Sequence, residues 1–249
     1  MSIKIKTKEE IQTMSDGGKI LADILNTLKT ESRIGVSTGY LDSKAEALCK
    51  KYKVKSAFKD YNGYGATICT GINDVAVHGI PSESELLESG QILSIDMGLI
   101  YQDYYLDSAI TLPIGEVDDK GIKLIEVTKL ALKRAIEVAV EGNTVGDVGF
   151  VIQNIAKISG FSVITQMTGH GVGRKLHEEP FIPCFGNQGE GIVLKADMTL
   201  AIEPMINEGG SEIFIENDGW TSRTLDGSRS AIFEHTIAVG KRRAKILTQ

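Results

Sequence analysis

Four acids interrupt apolar text in this chain. Asp96 follows Leu93-Ser94-Ile95, Asp107 sits in Leu106-Asp107-Ser108-Ala109-Ile110, Glu203 in Ala201-Ile202-Glu203-Pro204-Met205 and Glu234 in Ile232-Phe233-Glu234-His235-Thr236. A carboxylate in such surroundings is costly to bury unless it is paired or holds a cation. A hairpin centred on Tyr101-Gln102 would set Asp96 directly opposite Asp107, with Cβ atoms roughly 4.5–5.5 Å apart. Like charges so placed repel unless a cation lies between them, so this pair points to metal binding rather than to two solvated acids. Taken singly, Glu203 and Glu234 fit a strand-end salt bridge as well as a ligand. The text echoes itself, however: Leu93-Ser94-Ile95-Asp96 with Leu200-Ala201-Ile202-Glu203, and Leu106 to Ile110 with Phe233 to Ile237. Two halves, each supplying a strand pair that bears acids, would account for it.

The chain has four histidines. His170 lies in Thr168-Gly169-His170-Gly171, where the flanking glycines permit the close backbone approach that suits a ligand on a tight loop. An incidental histidine in a turn reads equally well from this text alone. His78 stands in Val77-His78-Gly79 and His177 in Leu176-His177-Glu178-Glu179-Pro180. His235 follows Glu234 on one expected strand, so it should face the opposite side and serve in packing. Other chemistries fail. No apolar helix follows Gly169, Gly171 and Gly173 to cradle a phosphate. Phe181 occupies the second histidine position of a zincin motif. Neither a Cys-x-x-Cys pair nor a Gly-x-Ser-x-Gly elbow is present.

The elements that must position these residues are partly legible. Thr7-Lys8-Glu9-Glu10 reads as a capping box ahead of Ile11, Met14, Leu21, Ile24, Leu25 and Leu28 at helical spacing. Further helices are expected at 41–52, from Asp118-Asp119 to a stop at Gly142, and from Val145 to Gly160. Strand text runs over 91–100, 104–113, 162–167, 198–206 and 230–239, with no linker that would separate independent domains. With 42% apolar and 24% charged residues, the composition is that of a globular chain. A net charge of -6 argues against a nucleic-acid partner, and against a two-metal nuclease. Cys49, Cys69 and Cys184, odd in number and not closely paired, suit a reducing compartment. No signal-like or membrane-spanning apolar run is found. A cytoplasmic protein without a membrane partner is expected.

Together the motifs resemble those of type I methionine aminopeptidases. Asp96, Asp107, His170, Glu203 and Glu234 occur in that family's order and setting, with Thr-Gly-His-Gly-Val-Gly-Arg, His-Glu-Glu-Pro, Ile-Glu-Pro-Met and Phe-Glu-His-Thr around them. The resemblance runs from the first helix to Val239. It implies an α/β (α+β) pita-bread fold, a pseudo-twofold antiparallel sheet core with helices covering the outer face. One catalytic domain would span residues 1–249, in halves of roughly 1–115 and 116–249. By resemblance, Asp107 and Glu234 bridge two divalent ions (Co, Mn or Fe), Asp96 chelates one, and His170 and Glu203 complete the other. The implied reaction is hydrolytic removal of the initiator methionine, preferentially before a small residue. Glu203 would shuttle a proton, His177 would stabilise the oxyanion and His78 would bond the scissile amide. Tyr61, Tyr64, Cys69 and Trp220 would line the methionine pocket. Gly65 and Leu176 depart from the family pattern, which often has proline and an aromatic there. The implied partners are N-terminal Met peptides and nascent chains, with transient ribosome association and a monomeric enzyme. Prolidases use a similar ligand set but usually carry an extra N-terminal domain.

Overall fold

A computed structural model describes residues 3–249. Helix α1, Lys8–Glu31, begins at the expected box: Glu10 N donates to Thr7 Oγ1 at 3.2 Å, and Thr7 N donates to the Glu10 carboxylate at 2.8 Å. Its inner face buries Ile11, Met14, Leu21, Ile24, Leu25 and Leu28, each aliphatic side chain contributing about 1.5–3 kcal/mol. Helix α2, Thr38–Tyr52, starts three residues before the expected Leu41 because Ser37 caps it. Helix α3, Asp119–Val138, opens on Asp118 but stops short of Gly142. Helix α4, Val145–Ile158, is held by a second capping box, Thr144 with Asp147.

The hairpin forms between strands Ile92–Tyr101 and Tyr104–Pro113, but its register corrects the expected one. The turn is Gln102-Asp103, both residues at positive φ, as a two-residue hairpin loop of this twist requires. Asp96 therefore pairs with Ala109, and Asp107 with Gly98. The slip is two residues, so the parity survives. Asp96 and Asp107 are diagonal neighbours on one face of the sheet.

In the second half, two expected strands each break at their acid. Thr199–Ile202 and Met205–Asn207 flank Glu203-Pro204, while Ser230–Ile232 and His235–Ala238 flank Phe233-Glu234. Proline has no N–H to give a ladder. Ile202 pairs with His235 and Met205 with Ile232, so one register runs across both breaks and sets Glu203 opposite Glu234. The expected strand over 162–167 is reduced to Ser162–Val163, followed by Thr168–Gly171.

Two large apolar clusters fill the molecule, and a smaller third gathers Phe58, Tyr64, Cys69 and Leu176. One joins α1 and α2 to Leu93, Ile95, Met97 and Leu106. The other joins α3 and α4 to Leu200, Ile202, Met205 and Ile232. Hydroxyls stitch the strands between them. Buried Thr236 Oγ1 accepts from Asp107 N at 2.9 Å and donates to Asp107 O at 2.8 Å, and Ser108 Oγ donates to Glu234 O at 2.8 Å. Thr111 Oγ1 bonds Ile232 N and O in the same way.

Candidate metal centre

The hairpin, the Thr168–Gly171 strand and the two broken strands deliver Asp96, Asp107, His170, Glu203 and Glu234 to one cavity. Ligand atoms of Asp107, His170 and Glu234 lie within 4.8 Å of one another, and all three residues are buried. His170 Nε2 is 3.6 Å from Glu203 Oε1 and 4.0 Å from Asp107 Oδ2. The glycines beside His170 serve the expected close backbone approach, but on a strand rather than on a tight loop. A Cβ at Gly169 would lie 2.6 Å from Ala201 O, and one at Gly171 2.3 Å from Glu179 O.

Electrostatics define what the cluster can hold. His170 Nδ1 is 2.9 Å from Gly171 O; a carbonyl only accepts, so Nδ1 carries the proton and Nε2 turns its lone pair toward the acids. Burial, then the neighbouring His177, lowers His170 to about 3, leaving the neutral imidazole that ligates metals. Burial raises Asp96 to about 7. It also raises Asp107, Glu203 and Glu234 well above the carboxylate range, with repulsion among the acids adding to it. Among the described residues, Asp96 Oδ1 and Glu234 Oε1 are buried without a hydrogen-bond partner, and no lysine or arginine lines the cavity. Four packed carboxylates with free lone pairs fit divalent cations.

The rest of the cavity, about 300 Å³ in all, is mainly apolar and aromatic, with Gln166 and Thr168 as its polar exceptions beside the histidines. Tyr64 meets Trp220 edge-on, with centroids 5.1 Å apart, and Cys69 and Leu176 pack beside Tyr64. The Tyr64 hydroxyl lies 3.0 Å from Ile68 O and from Gly79 O, so its polar end is spent on backbone and its ring serves as wall. His78 stands at φ 59°, a conformation that L-residues rarely adopt and that gathers at functional sites. His177 Nδ1 is 2.9 Å from the Tyr61 hydroxyl, and its ring lies edge-on to His170 at 4.4 Å. Burial lowers both His78 and His177. Of the two departures, Leu176 is wall, whereas Gly65 does not line the cavity.

Sequence reasoning missed the supports. Thr236 and Ser108 fix the backbone of Asp107 and Glu234 from the opposite half. Lys6, nearly buried, binds Glu178 at 2.7 Å. The other Glu178 oxygen accepts from Arg174 N at 2.7 Å and Lys175 N at 3.1 Å, pinning the loop that carries His177. The wall residue Phe58 was missed as well. Only the adjacency of Ser108 and Thr236 to the acids hinted at any of these.

Among the described residues, no helix is long and apolar enough to cross a membrane. The profile of metallopeptidase family M24 matches residues 12–241. A methionine aminopeptidase of Clostridium acetobutylicum is 41% identical over 246 residues, 99% of this chain and 98% of that protein. Methionine aminopeptidase 1 of Bacillus subtilis is 41% identical over 244 residues, 98% of each. The crystal structure of the methionine aminopeptidase from Thermotoga maritima superposes with a TM-score of 0.98 at 42% identity, covering 100% of both chains. Shared fold, whole-length likeness and a buried acid–imidazole cluster agree: this chain is a pita-bread hydrolase and belongs to metallopeptidase family M24.

Proposed function

We propose that this protein removes the N-terminal methionine from peptides and nascent proteins, preferentially where the next residue is small. The observation that carries the reading is the union of a buried donor set with an apolar, aromatic cavity at its mouth. That lining suits a thioether side chain. We take the whole chain as one catalytic unit of two halves, working as a monomer in the cytoplasm, with transient ribosome contact.

Asp96, Asp107, His170, Glu203 and Glu234 would hold two divalent ions. Oxygen-rich ligation with one imidazole suits Co, Mn or Fe. When bound, the metal supplies Lewis acidity and a water of lowered pKa. Glu203, whose carboxylate stands 3.6 Å from His170 Nε2, would take a proton from the attacking water and carry it to the leaving amine. His177, oriented by Tyr61, faces the developing oxyanion. His78 reaches the scissile amide from its left-handed backbone. Tyr61, Tyr64, Cys69 and Trp220 exclude water from the methionine side chain.

The test is hydrolysis of Met-Ala-Ser and of an X-Pro peptide, with Co, Mn or Fe added singly and a chelator control. Metal-restored cleavage confined to Met-Ala-Ser is expected. Cleavage of the X-Pro peptide alone, or cleavage indifferent to the chelator, would overturn the reading.

A further inference from the structure

Glu234 faces the metal cavity, whereas its chain neighbours Phe233 and His235 line a second cavity, of about 620 Å³, behind the strand. One wall is a face of α3 bearing Lys129 and Lys133, a helical turn apart; the other is the C-terminal segment bearing Arg243 and Lys245. Leu132, Ile136, Phe233 and Ala244 are buried and make an apolar floor. His235 Nδ1 is engaged by Thr248 Oγ1 at 2.9 Å, which leaves Nε2 free. All four cations are exposed. Among the described residues none of them has a carboxylate within 4.0 Å. Glu137, the acid at this cavity, is drawn off by Arg134 at 2.7 Å. In a chain of net charge -6, four uncompensated cations around one concavity focus a positive potential there.

We propose that this cavity binds a small organic bisphosphate, with one anionic group against each cationic wall and the carbon body on the apolar floor. Two pairs, one from α3 and one from the C-terminal segment, match two anionic groups better than one. Arginine can grip a phosphate with two parallel N–H bonds, and lysine meets it as a point charge. The volume lies in the range of small-molecule sites. The two cavities share no lining residue, so occupancy does not compete with a substrate at the metals.

Calorimetric titration of the metal-loaded protein with fructose bisphosphate tests this. One-to-one, submillimolar binding is expected. It weakens about tenfold in Lys129→Ala/Lys133→Ala and in Arg243→Ala/Lys245→Ala, as loss of two exposed charge contacts implies. Added salt also weakens it, and saturating methionine leaves it unchanged. Fructose monophosphate binds about tenfold less tightly, having lost the contacts to one wall. Absence of heat at millimolar probe, binding by the double variants as tight as by the unaltered protein, or displacement by methionine would each overturn the proposal; the last would put the probe on the metal ions.

Discussion

Consider the protein stripped by a chelator and melted at about pH 7 and again at about pH 8. Burial keeps Asp107, Glu203 and Glu234 protonated well above the ordinary carboxylate range, and Asp96 up to about 7. In the unfolded chain the same groups ionise near pH 4. The folded state thus binds more protons, and stability falls as pH rises between the unfolded and folded values. The histidines act oppositely, but in a lower window. Burial lowers all four, His170 to about 3 and His235 to about 4, from an ordinary 6.5. Their contribution therefore grows up to that value and is complete above it. The buried thiols, raised from 9.0 to about 11 at Cys49 and about 12 at Cys184, enter only near pH 9. Between these windows the carboxylates alone set the slope. Each acid protonated when folded and ionised when unfolded costs about 1.4 kcal/mol per pH unit. One to three acids then remove about 1.4–4 kcal/mol, a fall of roughly 3–16 °C in Tm for a chain of this length. With metal bound the carboxylates are held ionised and the slope vanishes or reverses. Scanning calorimetry of the metal-free protein decides: a Tm that stays level or climbs over this unit refutes the electrostatic account of the site.

Three further outcomes are expected. Glu203→Gln should keep its fold by circular dichroism yet lose turnover on Met-Ala-Ser by about a hundredfold or more; near-normal activity would remove its proton-carrying role. Thr236→Val leaves the N–H and C=O of Asp107 unpaired in a buried seam, costing about 2–4 kcal/mol by urea denaturation, whereas Thr236→Ser should retain most of that stability. Lys6→Met frees the His177 loop, so kcat should drop about tenfold while KM moves little, since the oxyanion contact proposed for His177 would act in the transition state. Lys6→Arg should recover part of kcat, and equal kcat in all three proteins would show that the ion pair does not position His177.

The helices were legible because their signals are local: Thr7 with Glu10, and the spacing from Ile11 to Leu28. The acids were legible because a charge in apolar text needs a cause, and they do converge on one cavity. The hairpin register was not. Its turn puts Gln102 and Asp103 at positive φ without a glycine to announce it. The two-residue slip spared the inference only because side chains alternate with a period of two. Breaks beside Glu203 and Glu234 were read as continuous strand, although Pro204 was there to signal one. Thr236 and Lys6 stayed silent because their partners, Asp107 and Glu178, lie 129 and 172 residues away. A polar side chain's worth is set by what the fold brings to it.

Asp96 and Asp107 ride on strands rooted in one apolar cluster, and Glu203 and Glu234 on strands rooted in the other. An ion held by both pairs would work as a rivet as well as a reagent. Any breathing that parts the two cores must first surrender it. Metal loading should therefore slow amide exchange most along the hydroxyl-stitched seam, at Asp107 and Glu234, and least in the outer turns of α1 and α4. The ion's residence time would then be governed by how often the rivet line gapes.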